Sequence, residues 1–233
     1  MKRLIYLSLL FLAACSSEVT INTNSFNLKG KVKSITDTQS QGIYDKTYNV
    51  YPDTMSAGAV SFISIREFDE EGRWVSAKME LTNGKVYSTT EVLYDKDGNY
   101  AGTKDVDANG KLFRETTVTE ISKDKIVMVS KDGSGKQLSE NVSEYEDGLV
   151  VKQTTTWSDG TLTMIYEYKR DSDGNEEEIK IHTISSNSNP KESDQIMKVK
   201  ILKTDVYGNW IRQAYYNSDN DKCTVIDRKI EYY

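Results

Sequence analysis

Glycines fall on a grid in this chain. Gly72, Gly84, Gly98 and Gly110 are spaced by 12, 14 and 12 residues, and Gly148, Gly160 and Gly174 repeat the 12 and the 14. Alternate turns therefore recur every 26 residues: Gly72 to Gly98, Gly84 to Gly110, Gly148 to Gly174. The gap between the two runs is filled in phase by Lys123-Asp124-Lys125 and Asp132-Gly133-Ser134-Gly135, and Gly208 and Asn220 again stand 12 apart. Periods of this size signal an architecture of repeated supersecondary units. Here the unit is a β-hairpin. The pairs Asn83-Gly84, Asn109-Gly110, Asp147-Gly148 and Asp159-Gly160 supply the positive φ that two-residue reversals demand. A 12-residue interval less its turn leaves strands of about eight residues.

The segments between turns have strand composition. Residues 85–94 (KVYSTTEVLY), 161–169 (TLTMIYEYK) and 196–204 (IMKVKILKT) are rich in Val, Ile, Thr and Tyr. In the second, Leu162, Met164, Tyr166 and Tyr168 share one face and Thr161, Thr163, Glu167 and Lys169 the other, with Ile165 the exception. No window carries a helical apolar period, so helix content is expected to be low. The spacing predicts an all-β chain: a long antiparallel meander of roughly 14 strands joined by tight hairpins. At about 4.8 Å per strand such a sheet is roughly 65 Å across, and twist forces so wide a sheet to curl. A curled sheet is expected, with a partial barrel or a two-layer wrap as alternatives. Fifteen tyrosines and three tryptophans suit a thin core, because a ring covers much area while a hydroxyl reaches water. Residues 51–60 and 185–194 read as longer loops.

The N-terminus carries a different signal. Lys2 and Arg3 precede a mostly apolar stretch from Leu4 to Ala14, far short of the roughly 20 residues that span a bilayer. This is the pattern of an export signal. Leu12-Ala13-Ala14-Cys15 resembles the lipobox of bacterial lipoproteins, which implies a lipidated Cys15 and cleavage before it. Two or more acyl chains anchor stably where one does not. Residues 1–14 are thus read as a signal peptide, 15–27 as the lipidated cysteine and a flexible tether, and 28–233 as a single hairpin-repeat domain. Removing Lys2 and Arg3 takes the formal net charge from −6 to −8. An acidic chain without a basic cluster is not built for nucleic acid. With Cys15 lipidated, Cys223 is the lone thiol and no intramolecular disulfide can form.

The turns also carry a recurring phrase. Phe68-Asp69-Glu70-Glu71-Gly72-Arg73-Trp74 and Tyr94-Asp95-Lys96-Asp97-Gly98-Asn99-Tyr100 resemble the YD motif of RHS/YD-repeat proteins. Asp205-Val206-Tyr207-Gly208-Asn209-Trp210 is a third copy without the leading aromatic, and Asp171-Ser172-Asp173-Gly174-Asn175 a degenerate fourth. The resemblance implies β-hairpin repeats of the kind that large family members wind into shells. The chain is also similar to small repeat-bearing envelope lipoproteins of Bacteroidetes-like bacteria.

Candidate chemistry is sparse. Asp105-x-Asp107-x-Asn109-Gly110 has calcium-loop spacing, with the apolar Leu112 two places after the glycine. The closing bidentate Glu is missing, since the twelfth position is Thr116 and Glu115 comes one early, and the segment already occupies its place in the hairpin grid. We therefore read it as a corner, with no metal and no cofactor. His182 is the only histidine, and Cys223 reads as a small apolar packer. The run Glu176-Glu177-Glu178 reads as a solvated face. Trp74, Trp157 and Trp210 are the candidates for a ligand-binding platform, with core packing as the competing reading. The expectation is a non-catalytic envelope lipoprotein, anchored to the membrane through Cys15 and binding a protein or glycan. Its location is the outer membrane, with the face left open. The alternatives are a glycan hydrolase using paired carboxylates and an immunity-type partner of a secreted toxin.

Overall fold

The computed structural model describes residues 21–45, 49–52, 62–186, 190–217 and 222–233. Cys15 and the signal sequence lie outside the described residues. A 3-10 turn, Thr23–Phe26, is followed by fifteen strands. These are β1 (Val32–Tyr44), β2 (Val50–Pro52), β3 (Phe62–Phe68), β4 (Trp74–Leu81), β5 (Val86–Tyr94), β6 (Tyr100–Asp107), β7 (Leu112–Ile121) and β8 (Lys125–Asp132). The second half comprises β9 (Gln137–Glu146), β10 (Leu149–Trp157), β11 (Leu162–Arg170), β12 (Glu176–Ser185), β13 (Lys191–Thr204), β14 (Trp210–Asn217) and β15 (Lys222–Tyr232).

From β3 to β15 each strand pairs antiparallel with the next, as the glycine grid requires, β3 pairs with β1, and the sheet then closes on itself. β1 pairs with β15 from Val32↔Tyr232 to Ile43↔Lys222. β2 pairs with the far end of β1 alongside β3, so the closed ring holds fourteen strands and β2 is an addition to it. The expected curled sheet is thus a closed barrel, the full form of the partial-barrel alternative. Closure corrects the RHS/YD reading. An open array of hairpins would leave both edge strands free to extend a spiral, whereas here the first and last strands use those edges on each other. The shared phrase reflects turn chemistry rather than a common winding.

That chemistry is visible in the turns. Gly98 N–H bonds to Asp95 C=O, Asp95 N–H bonds to Asn99 C=O, and Asp95 Oδ1 accepts the amides of Asp97 and Asn99. Asn99 Nδ2 closes a side-chain clamp on Asp95 Oδ2, a role that the Arg73 guanidinium plays toward Asp69. This is a type I turn followed by a left-handed glycine, not the expected two-residue turn. Gly98 has φ 84°, and among the described residues only Asp147-Gly148 places both partners at positive φ. The three-residue form wins because the aspartate caps amides that a two-residue turn would expose, and only glycine enters the left-handed region. Half of the expected loop at 185–194 is strand, since Lys191–Asp194 pairs with Ser185–His182.

Turns alternate between the two ends of the barrel. The four YD-like copies of the turn phrase, at 69–72, 95–98, 171–174 and 205–208, lie at one end; the turns at 82–84, 108–110, 133–135 and 158–160 lie at the other. A fourteen-stranded ring of circular section is roughly 28 Å across, wider than facing side chains can fill. The segment upstream of β1 helps fill it. Trp74 N–H bonds to Ile21 C=O, Thr23 N–H to Gly72 C=O, Asn27 Nδ2 to Asp173 C=O, and Lys29 N–H to Asn209 Oδ1. Residues 21–29 therefore reach from the β3–β4 turn to the β11–β12 and β13–β14 turns, crossing the mouth. Phe26 packs on Leu28, Val32, Ile35 and Phe68, with Trp74 and Tyr232 beside them, while Ile21 packs on Ile126 and Tyr145. The packed unit thus begins by Ile21, upstream of Leu28.

The outward positions carry charge in alternating rows. Glu91, Lys104, Glu115 and Lys131 stand opposite one another across β5 to β8, and Lys125, Glu144, Lys152, Glu167 and Lys180 do so across β8 to β12. Opposite-charge neighbours of this kind contribute roughly 0.2 to 1 kcal/mol per pair.

Candidate functional site

Inward positions below the crossed end form a polar belt, and one cavity opens within it. Its volume is about 280 Å³, and Phe26, Asp37, Arg66, Trp210, Gln213 and Arg228 are among the residues that line it. Alternation brings them together. Asp37 stands opposite Arg228 of β15, and Arg66 of β3 is opposite Ile35, one inward place along β1. Gln213 pairs with Ile226 and Trp210 with Thr204, on strands that reach the site from the other side of β15.

One carboxylate serves two guanidiniums. Arg228 holds Asp37 in a fork, Nε to Oδ1 at 2.7 Å and Nη2 to Oδ2 at 2.8 Å, and Arg66 Nη1 reaches Oδ2 at 3.3 Å. The Arg228 guanidinium lies 3.5 Å from the centre of the Trp210 ring, and Arg66 stands 5.7 Å from that of Phe26. Burial pulls the Arg66 pKa down; Asp37 opposes this and Arg228 adds to it. A second pair, Arg170 and Glu176, lies on the same wall, where Arg170 also donates to the Val150 and Gly174 carbonyls and Tyr215 to Glu176. Burial, with Glu176 next, raises the Tyr215 pKa, so the phenol stays a neutral donor. The Gln213 side chain is 2 % exposed, yet among the described residues its amide oxygen has no hydrogen-bond partner. A buried acceptor left in this state costs about 1 to 3 kcal/mol.

The three tryptophans do not form one platform. Trp74 is half-buried in the apolar cluster of the crossed end, stacked on Tyr100 with its indole N–H on the Ser76 carbonyl. Trp157 ends β10 opposite Ser139, at the other end of the barrel. Only Trp210 lines the cavity. The calcium-like spacing is divided between two tasks. Asp105, 3 % exposed, faces inward onto Arg114 and Thr90, while Asp107 caps the amides of Asn109 and Lys111 in its turn. His182 pairs across strands with Asp194. Cys223 is buried with Ala214, Tyr216 and Val225, and burial pushes its thiol pKa up. Glu176 turns inward, unlike Glu177, which pairs with Lys169 at the surface. Among the described residues no group of three or more potential metal ligands occurs, and Cys223 is unpaired.

Asp37, Arg66, Gln213 and Arg228 are absent from the sequence-level candidates. The alternation in FISIREF, residues 62–68, does not single out Arg66, because Phe62, Ser64, Arg66 and Phe68 share one face while Ile63, Ile65 and Glu67 share the other, and each face carries apolar residues and one charge.

No family model matches the chain, and no curated protein is significantly similar to it in sequence. Solved structures that match the chain include a porin-like protein from Bacteroides uniformis, 12% identical over 86% of this chain and 96% of that one, with a TM-score of 0.43. A LolA superfamily protein from Nitrosomonas europaea matches 92% of this chain and 94% of its own at 6% identity and a TM-score of 0.32. A DUF1329 family protein from Desulfovibrio piger matches 86% of each chain at 8% identity and a TM-score of 0.28. At these scores the closed barrel rests on the chain's own strand register.

Proposed function

We propose that this chain is a non-catalytic, lipid-anchored protein of the bacterial outer membrane, a barrel standing in water with its crossed end toward the lipid and a small ligand bound inside. The position of Ile21 carries the reading. It docks at the crossed end, and five residues separate it from Cys15, so that the six steps between them reach about 21 Å at full extension. Lipid on Cys15 holds that end against the bilayer. Val206 and Tyr207, both exposed in the β13–β14 turn of the same end, suit a headgroup interface. The alternating rows of charge suit water, because a barrel embedded in lipid needs an outward apolar band about 25 Å tall. A catalytic role for the inward carboxylates is disfavoured, since Asp37 and Glu176 are both occupied by arginines.

Metabolic labelling with palmitate, followed by membrane fractionation, tests the anchor. The label and the membrane-bound pool disappear in Cys15→Ala, and persistence of either refutes it. In reconstituted vesicles, a fluorophore at Lys96 is quenched by headgroup-attached quenchers more strongly than one at Ser134. The reverse order refutes the orientation.

A further inference from the structure

We propose that the cavity between Arg66, Trp210, Gln213 and Arg228 binds a single sugar acid, a monosaccharide bearing one carboxylate. The inference rests on the ligand-binding reading above and names its ligand class. Three features of the cavity converge on that chemistry.

The first is charge. Arg66 and Arg228 share Asp37 alone, while Arg170 and Glu176 neutralise each other, so the wall carries one uncompensated positive charge. A monoanion restores neutrality, and a phosphate dianion overshoots. The donors are in place: Asp37 occupies only Nη1 of Arg66 and Nε and Nη2 of Arg228, which leaves Nε and Nη2 of the first and Nη1 of the second without an acceptor among the described residues. Guanidinium groups are matched to planar carboxylates.

The second is the Gln213 amide, which lines the cavity and whose oxygen is covered and has no partner among the described residues, so that it meets a ligand when the side chain turns into the cavity. That oxygen requires a donor, which a carboxylate does not supply and a hydroxyl does. A ligand that satisfies both features carries an anion and a hydroxyl together. The third is size and lining. At about 30 Å³ per water, the 280 Å³ cavity holds about nine waters, room for one pyranose ring. Phe26, Trp210 and Tyr215 supply the apolar surface that the carbon face of such a ring covers.

The test uses the mature chain, its Arg66→Met and Gln213→Leu variants, and the Cys15→Ala chain. Melting temperature and calorimetric binding are measured with D-glucuronate, D-galacturonate, D-glucose and inorganic phosphate. At least one uronate raises the melting temperature saturably, Arg66→Met abolishes the rise, and Gln213→Leu weakens binding about tenfold; glucose and phosphate produce no comparable rise. Gln213→Leu by itself melts no lower than the parent, because it removes an unsatisfied acceptor, and so serves as the folded control. A parent chain indifferent to both uronates overturns the proposal. So does a uronate response that survives in Arg66→Met, or a phosphate response equal to it and untouched in Gln213→Leu, which marks a simple anion site. Uronate binding retained in a Cys15→Ala chain that still labels with palmitate upholds the site while refuting the anchor, so the two readings fail separately.

Discussion

The two ends of the barrel are built from the same turn and put to different use. At the far end, the turn at 107–111 is self-contained: Asp107 caps Asn109 and Lys111, and a Cβ on Gly110 would meet nothing within 4 Å. At the crossed end, the turn at 171–175 makes the same local bonds but also holds Asn27, and a Cβ on Gly174 would lie 2.9 Å from Leu149 Cδ1 and 3.2 Å from Asn27 Oδ1. The turn at 205–209 goes further. Asn209 bonds to both the amide and the carbonyl of Lys29 and to the Tyr232 hydroxyl, which itself donates to Asp205. A turn sequence therefore specifies a reversal, while the segment that arrives from elsewhere decides whether the reversal is also a socket.

The sharpest way to break this contrast is to empty one socket. Phe26→Ala, at the crossed end, is expected to lower stability by about 3 kcal/mol, within the range for loss of a core aromatic. Phe62→Ala, at the far end where the ring is 40 % exposed, should cost under about 1 kcal/mol. Urea midpoints compare the two, and equal losses would show that residues 21–29 merely rest on the rim. A smaller effect separates two asparagines in similar turns. Asn209→Ala removes bonds to Lys29 and Tyr232 from a buried position and is expected to cost about 2 kcal/mol, against about 0.5 kcal/mol for Asn109→Ala in an exposed turn. Similar values by the same measurement would mean that the socket contributes nothing.

The smallest expected effect is one the ends share. The amide of Asn99, and then its side chain and the Asp97 amide, hold Asp95 below the ordinary carboxylate range; the amides of Lys111 and Asn109 do the same for Asp107. A folded pKa below the unfolded one contributes stability that is present above the ordinary value, near pH 4, and lost as pH falls through the folded value. Urea midpoints should therefore fall between pH 5 and about pH 3, with Asp95→Asn and Asp107→Asn flattening that fall slightly and equally. Unequal flattening would show that local capping differs between the ends after all.

The local layer of the molecule is legible in the sequence because its causes are local. Leu162, Met164, Tyr166 and Tyr168 point to one face as their alternation requires, and the glycine grid marks the corners. Where local reading missed, the competing cause was also local. Asn83 and Asn109 stay out of the left-handed region because a type I turn lets the glycine alone enter it. The site lies one level up. Arg66 and Arg228 look like ordinary strand charges until β15 lies beside β1 and places both against Asp37, and residues 21–27 look like tether until three turns receive them.

Strands, corners and the order in which neighbours pair were determined by the sequence alone, because each follows from backbone geometry and alternation within a few residues. Only tertiary structure decided closure, the crossing of the mouth and the shared carboxylate, because each joins residues far apart in the chain. Such pairings are selected by what the finished sheet leaves unpaired at its edges and unfilled within it, and no stretch of the chain carries that information by itself.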